Sequence, residues 1–212
     1  MSYAESTWFQ GKRAAHYSNA KIGCDKDGKF TCFEFDFAYD HGAYSEMADN
    51  LGSKVIRFAG FGYNLPNVRG LSRVGFSNQT YGTAYRAYGN SQAFAMSESI
   101  VDALAAEAGI DPFELRYRNL AKPGDKNLNN REYKEYPYKE IMDKMRPYYD
   151  EAVAKAKKEG TPEKLRGVGI AIVGYNVTGG GTDHSEVELG LNPDGTVTQY
   201  NTWEDHGQGA DV

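Results

Sequence analysis

The stretch that most constrains what this chain can fold into is residues 80–120, TYGTAYRAYGNSQAFAMSESIVDALAAEAGIDPFELRYRNL. Its first part is rich in Gly and Tyr and sets Arg86 between Tyr85 and Tyr88. Gly82 and Gly89 each weaken a helix by about 1 kcal/mol, so this part reads as a loop that feeds a helix. Asn90 or Ser91 can cap the helix that follows. Ala93, Phe94, Met96, Ile100, Val101, Leu104, Ala105 and Ala108 then recur at helical spacing as a broad apolar stripe. Gly109 stops the helix. Asp111, Pro112 and Glu114 open a second one as N-cap, first and third helical residues. A polar-aromatic loop carried on a buried helix is how binding loops are usually supported.

The flanking segments complete the architecture. Ala20–Cys24 and Thr31–Asp40 flank Asp27-Gly28, a hairpin signal. Phe33, Phe35, Phe37 and Tyr39 alternate with Cys32, Glu34, Asp36, Ala38 and Asp40, which predicts a strand with one aromatic, buried side. Residues 1–19 are polar and aperiodic and predict a frayed start. His41, Gly42, Tyr44 and Glu46 follow the strand in a loop, with His41 read as a surface residue. Residues 50–66 predict a short helix ending in a turn at 64–67, and residues 68–79 a strand. Residues 121–136 lack an apolar period and read as a linker. Residues 139–158 predict a charged amphipathic helix bent or interrupted at Pro147. GVGIAIVGYNV, from Gly167, predicts a buried strand. Residues 184–191 and 196–203 predict a hairpin through Asn192-Pro193-Asp194-Gly195. The fold class is therefore α+β, in two incomplete lobes at about 1–135 and 136–212, each a mixed sheet with helices.

Composition narrows the function classes. A net charge of −5 argues against a nucleic-acid groove, because phosphate binding needs a positive field. The absence of an apolar run near 18 residues argues against a membrane-spanning helix. MSYAESTWFQGKR lacks the apolar core of a signal peptide, which leaves the cytoplasm as the expected compartment. Two cysteines, Cys24 and Cys32, are too few for a disulfide scaffold or an iron–sulfur cluster. They sit on opposite arms of the first hairpin, which leaves a disulfide open and favours reduced thiols. Sixteen tyrosines imply aromatic surface that faces another domain.

Few motifs carry chemistry. Gly207-Gln208-Gly209 lets backbone N–H groups approach an anion, although a tripeptide of this kind is most often a plain turn. Gly179-Gly180-Gly181 lacks the strand-to-helix setting of a dinucleotide fingerprint. His184, Glu186 and Glu188 share one face of a strand and read as a solvated face rather than a metal site. Glu204 and Asp205 carry no argument for paired-carboxylate catalysis.

The combination of TAYRAYGNSQAFAMSE, GIDPFELRYRNL, KDGKFTCFEFDFAYDHGAYSE, GYNLPNVRG and NTWEDHGQGAD resembles the molybdenum-cofactor region of the xanthine oxidase and aldehyde oxidoreductase family. Within that family the resemblance is greatest to the aldehyde oxidoreductases of the Desulfovibrio type. It implies two lobes of a molybdopterin-binding domain, and a molybdopterin cytosine dinucleotide cofactor carrying molybdenum. It implies an internal fragment, since such enzymes are several times longer. By the same resemblance, Arg86 falls at a position whose backbone borders the molybdenum centre, and His206, Gly207, Gln208 and Gly209 lie against the cofactor. Tyr88, Met47, Asn50 and Gly179 line the substrate channel. The implied reaction of the complete enzyme converts a small aldehyde and water to a carboxylic acid, in a homodimer.

The departures matter as much. The two 2Fe-2S clusters, an upstream loop, a later Gln loop and the glutamate that serves as general base all belong to regions outside this sequence. The chain thus supplies no catalytic residue and no metal ligand of its own, and its first partner is the remainder of the enzyme. Two alternatives stand beside this reading: a non-catalytic binding or assembly protein, and a split subunit that completes its site in trans.

Overall fold

A computed structural model describes residues 2–44, 47–134, 136–175 and 185–202. By contacts the chain divides into two compact units, the first running to Gly174 and the second from Tyr175. The described residues are α+β.

The chain opens with α1 (Tyr3–Phe9) where sequence predicts a frayed start. Ser2 and Glu5 form a reciprocal capping box that satisfies the orphan N–H groups of the first turn. The helix buries no residue and exposes Tyr3, Trp8 and Phe9, so its order is local rather than packed. Then β1 (Ala15–Cys24) pairs antiparallel with β2 (Phe30–Asp40). The turn between them closes on Asp25, whose Oδ1 accepts the N–H groups of Asp27 and Lys29 at 2.9 Å each. Strand β1 begins five residues earlier than the apolar pattern predicts. The register pairs Ala15 with Asp40 and Ser18 with Phe37, so partner strand β2 orders these polar residues where their own periodicity does not. Both cysteines are free thiols.

The predicted alternation of β2 holds. Phe33, Phe35, Phe37 and Tyr39 are all buried and face the core. The crossover helix α2 (Ala48–Phe58) then returns the chain to β3 (Val68–Gly75), which pairs parallel with β2, giving sheet order β1-β2-β3. Gly70 lies under Phe35, where a Cβ would come within 2.1 Å of the ring, so only glycine admits the aromatic there. The strand stops at Gly75, short of Gln79, because residues 76–79 turn back to hydrogen-bond the loop after β2.

Helix α3 (Asn90–Ala108) packs across this sheet through Ala93, Phe94 and Met96 and reaches a second core through Val101 and Ala105. Its start differs from expectation. Neither Asn90 nor Ser91 is the cap: Gly89 is, in the left-handed region (φ 73°), and the Asn90 side chain instead donates to the Gly174 carbonyl at 2.8 Å. Helix α4 (Pro112–Arg118) starts as predicted, with Asp111 Oδ1 accepting from Phe113 and Glu114.

Residues 121–136 are not a free linker. Ala121 and Tyr133 are buried, and the rings of Tyr133, Tyr136 and Tyr138 pack in succession at tilted angles. Helix α5 (Tyr138–Glu159) runs unbroken through Pro147. Burial of Met142 and Tyr149 against the α4 core, with Arg146 on Glu114 at 2.6 Å, holds the helix on both sides of the missing N–H. Residues 167–174 form no strand; they belong to the first unit, with Ile172 buried. The backbone partner of Ile172 is a side chain: its N–H donates to Glu98 Oε2 at 3.0 Å.

Glu98 centres a buried polar network. It accepts from Arg116 Nε at 2.9 Å and from Tyr63 at 2.8 Å, and the Arg116 guanidinium also meets Asp102 at 2.8 Å and the Pro112 carbonyl at 3.2 Å. Burial pushes the Glu98 carboxyl above the ordinary range and is opposed by Arg116. Arg116 is fully buried and remains charged: desolvation opposes its charge, and the paired carboxylates of Glu98 and Asp102 outweigh it.

The second unit, as described, is a hairpin of β4 (Val187–Leu191) and β5 (Val197–Asn201), closed by Gly195 (φ 84°) and by Asp194 accepting from Thr196. Glu188 is exposed on it, and His184 lies outside the described residues. Among the described residues no helix is long and apolar enough to cross a membrane.

Candidate functional site

The loop at residues 80–89 is built into the end of the sheet by backbone hydrogen bonds. Lys12 N–H donates to the Tyr81 carbonyl at 3.0 Å and Thr83 N–H returns to the Lys12 carbonyl at 3.0 Å, while Gly82 N–H donates to the His41 carbonyl at 2.7 Å. The chain leaving β2 is fixed by Asp40, whose Oδ1 accepts the Gly42 N–H at 3.0 Å and the Ser77 hydroxyl at 2.5 Å. These two bonds, that of Ser77 first, hold the Asp40 carboxyl below its ordinary range. Gly42 has φ 75° and would place a Cβ 2.5 Å from the Thr80 carbonyl oxygen, so the approach of the two loops requires glycine. Gly89 does the same at the other end, where a Cβ would stand 2.6 Å from Lys54 Cβ on α2.

Four of the sequence-identified residues gather here. Tyr88 donates its hydroxyl to the Met47 carbonyl. Met47 is itself left-handed (φ 53°) at the N-cap of α2, and Asn50 is exposed in the first turn of that helix. Arg86 is exposed, and among the described residues its guanidinium has no hydrogen bond or ion pair, whereas its carbonyl accepts from Arg13. Gly179, His206, Gly207, Gln208 and Gly209 lie outside the described residues.

The ground beneath the loop is polar, and sequence reasoning missed it. His41, read as a surface residue, is fully buried. Its Nδ1 lies 2.9 Å from the Tyr44 carbonyl, and its Nε2 has no hydrogen-bond partner among the described residues. The Tyr39 hydroxyl, Arg13 Nη1 and Gln92 Oε1 are likewise buried without a partner, while Gln92 Nε2 reaches the Ala14 carbonyl at 3.4 Å. Burial pushes the Tyr39 hydroxyl well above its ordinary range; nearby Tyr88 adds to the shift and Arg13 opposes it. Tyr39 therefore remains a protonated donor at every ordinary pH. The signal for these residues was present but misleading. Tyr39 sits in the aromatic alternation and so reads as an ordinary member of a packed face, while Gln92 stands beside the apolar stripe of α3 and is not singled out by it.

The arrangement supplies an exposed guanidinium, an aromatic ring tied to the start of α2, and buried donors and acceptors with capacity to spare. That set suits a polar, anionic ligand with a flat ring system, which a pterin phosphate is. Among the described residues no three His, Cys, Asp or Glu side chains come together to hold a metal ion.

Comparison with known proteins bears on this arrangement. Two family models match, each described as a molybdopterin cofactor-binding domain, over residues 1–120 and 143–212. The aldehyde oxidoreductase of Megalodesulfovibrio gigas is 43% identical over 211 residues, which is 100% of this chain and 23% of that protein. The crystal structure of the aldehyde oxidoreductase from Desulfovibrio desulfuricans matches with a TM-score of 0.87 and 41% identity, covering 95% of this chain and 22% of that one. A putative xanthine dehydrogenase molybdenum-binding subunit of Escherichia coli is 29% identical over 94% of this chain and 27% of its own length. The chain thus spans about a quarter of the relatives it matches. With one family model over more than half of its length and a second over residues 143–212, the chain belongs to the molybdopterin cofactor-binding domain family, that of the aldehyde oxidoreductases and xanthine dehydrogenases.

Proposed function

We propose that this chain serves as a segment of a molybdenum-dependent aldehyde oxidoreductase, which turns a small aldehyde and water into a carboxylic acid. The observation that carries the reading is the 43% identity with an aldehyde oxidoreductase along the whole chain. Residues 1–135 form part of a first molybdenum-binding lobe and residues 136–212 the start of a second. The cofactor is molybdopterin cytosine dinucleotide. When bound, the cofactor would supply the two-electron acceptor that oxidation of an aldehyde needs.

The chain's own residues bind and orient. Arg86 presents its loop to the cofactor, with the exposed guanidinium neutralising negative charge. His206, Gly207, Gln208 and Gly209 approach the cofactor through their backbone. Tyr88, Met47, Asn50 and Gly179 line the substrate channel, where an aromatic ring and a thioether offer apolar walls to an aldehyde's carbon chain. General-base chemistry comes from the remainder of the same enzyme, a cytoplasmic homodimer. A division of the enzyme between chains is the second reading, favoured by the E. coli relative, whose name makes it a molybdenum-binding subunit.

The test is elemental analysis of the purified chain for molybdenum, with a cytidine-nucleotide assay after acid release. The expected result is neither metal nor nucleotide in the chain alone, and both at one per chain once the remainder of the enzyme is co-expressed. A reconstituted complex lacking both would sink the proposal.

A further inference from the structure

The loop's conformation depends on a residue that the family motifs do not include. Arg13 lies between α1 and β1, next to Lys12, whose backbone pairs with Tyr81 and Thr83. Its Nη2 donates to the carbonyl of Arg86, seventy-three residues away in sequence. Its guanidinium carbon also stands 5.2 Å from the centroid of the Tyr85 ring, over its face. Its Nη1 is buried, without a partner among the described residues. One planar cation thus touches two successive residues of the loop from beneath, at the peptide that joins Arg86 to Ala87. Ala87 is left-handed (φ 59°), a conformation that a residue bearing a Cβ rarely adopts unless its surroundings impose it.

We infer that Arg13 is a positioning residue: its guanidinium holds the Arg86 carbonyl and the Tyr85 ring together, and so sets the direction in which Arg86 and Tyr88 face. Lysine cannot replace it fully, because a point ammonium lacks the planar fork that donates to a carbonyl while lying flat on a ring. The inference deepens the cofactor reading and rests on it for its functional meaning; the clamp itself stands on geometry alone.

NMR-resolved amide exchange on the 212-residue chain tests it, comparing wild type with Arg13→Ala and Arg13→Lys. The reporters are Thr83, Asn90 and Ser91, whose N–H groups are hydrogen-bonded on either side of Arg86. In Arg13→Ala they should exchange roughly tenfold faster or more, with Arg13→Lys between the two. Amides of the C-terminal half of α3, packed in the other core, should keep their wild-type rates. Unchanged exchange at the three reporters overturns the inference, and so does equal acceleration throughout the chain, which would mark Arg13 as general packing. Should Arg13→Ala fail to fold, Arg13→Lys is read by the same criterion. Molybdenum and cytidine content of the co-expressed complex, measured for each variant, separates the two claims. If the wild-type complex carries neither, the cofactor reading falls and the clamp is still judged by exchange. If it carries both, the clamp reading requires Arg13→Ala to lower the content.

Discussion

Two buried polar clusters meet α3, one near its N-terminus through Gln92 and one at its middle through Glu98, and they differ in how completely they are paired. Around Glu98 both carboxylate oxygens, the Arg116 guanidinium, the Tyr63 hydroxyl and the Ile172 N–H all have partners. Beneath the loop at residues 80–89, the Tyr39 hydroxyl, Arg13 Nη1, Gln92 Oε1 and His41 Nε2 have none among the described residues. Orphaned groups of this kind cost about 1–3 kcal/mol each, so a fold selected for stability alone would pair or remove them. The Glu98 cluster is closed and structural. The loop cluster is open, and it lies where the proposed cofactor contacts lie.

If that contrast is right, breaking the closed cluster has the larger effect. Arg116→Ala leaves Glu98 buried without its cation and should cost about 3–5 kcal/mol in urea unfolding at neutral pH. The sign of its pH dependence follows from Glu98. A carboxyl whose folded pKa is raised takes up a proton in the native state before it does so in the unfolded one. The variant should therefore regain stability as the pH falls from neutral toward the ordinary glutamate value of 4.5. A loss below about 1 kcal/mol, or one that deepens over that pH window, would mean that the cluster is not closed in the sense argued.

A pair of identical substitutions compares the clusters directly. Tyr63→Phe removes the donor to Glu98 Oε1 and should cost about 1–3 kcal/mol. Tyr39→Phe removes a buried hydroxyl without a partner among the described residues, and should be neutral to stabilising, by up to about 1–3 kcal/mol. Equal costs at the two sites, measured by thermal or urea unfolding of the chain, would erase the distinction.

How much of this was legible in the sequence follows from the range of the interactions involved. The aromatic alternation of β2, the Asp111 cap and the Gly109 stop are local, and they read correctly because period and capping are set by neighbours. The first strand did not, because its polar N-terminal half is ordered by pairing with β2. The stretch at Gly167 read as a strand from its apolar content, yet its backbone is satisfied by Glu98, a side chain seventy-four residues away. Arg86, Tyr88, Met47 and Asn50 were named from motif resemblance, and the fold brings Tyr88 onto Met47 at the start of α2. Arg13 and Gln92 act through residues distant in sequence, Tyr39 is hidden inside the aromatic alternation of β2, and His41 reads as an exposed loop residue although the fold buries it.

The smallest expected effect probes the seam between the sheet and the loop. Asp40 caps the end of β2 by accepting from Ser77 and from the Gly42 N–H, and both bonds favour its charged form. Its folded pKa accordingly lies below the ordinary 3.8, so its contribution to stability is fully present above that value and is lost as the pH falls through the depressed one. Ser77→Ala removes the larger of the two causes. In a carboxyl carbon NMR titration the Asp40 midpoint should be below 3.8 in the wild type and should move up toward 3.8 in the variant. The exchange of Gly82 and Thr83, held from the other side by His41 and Lys12, should change little, because the loop is anchored at both margins rather than at one. A midpoint that does not move would show that the Ser77 hydroxyl does not hold Asp40. Loosening of Gly82 along with Asp40 would show instead that the seam is a single cooperative unit, in which case the open cluster beneath it owes its order to the sheet end and not to Arg13.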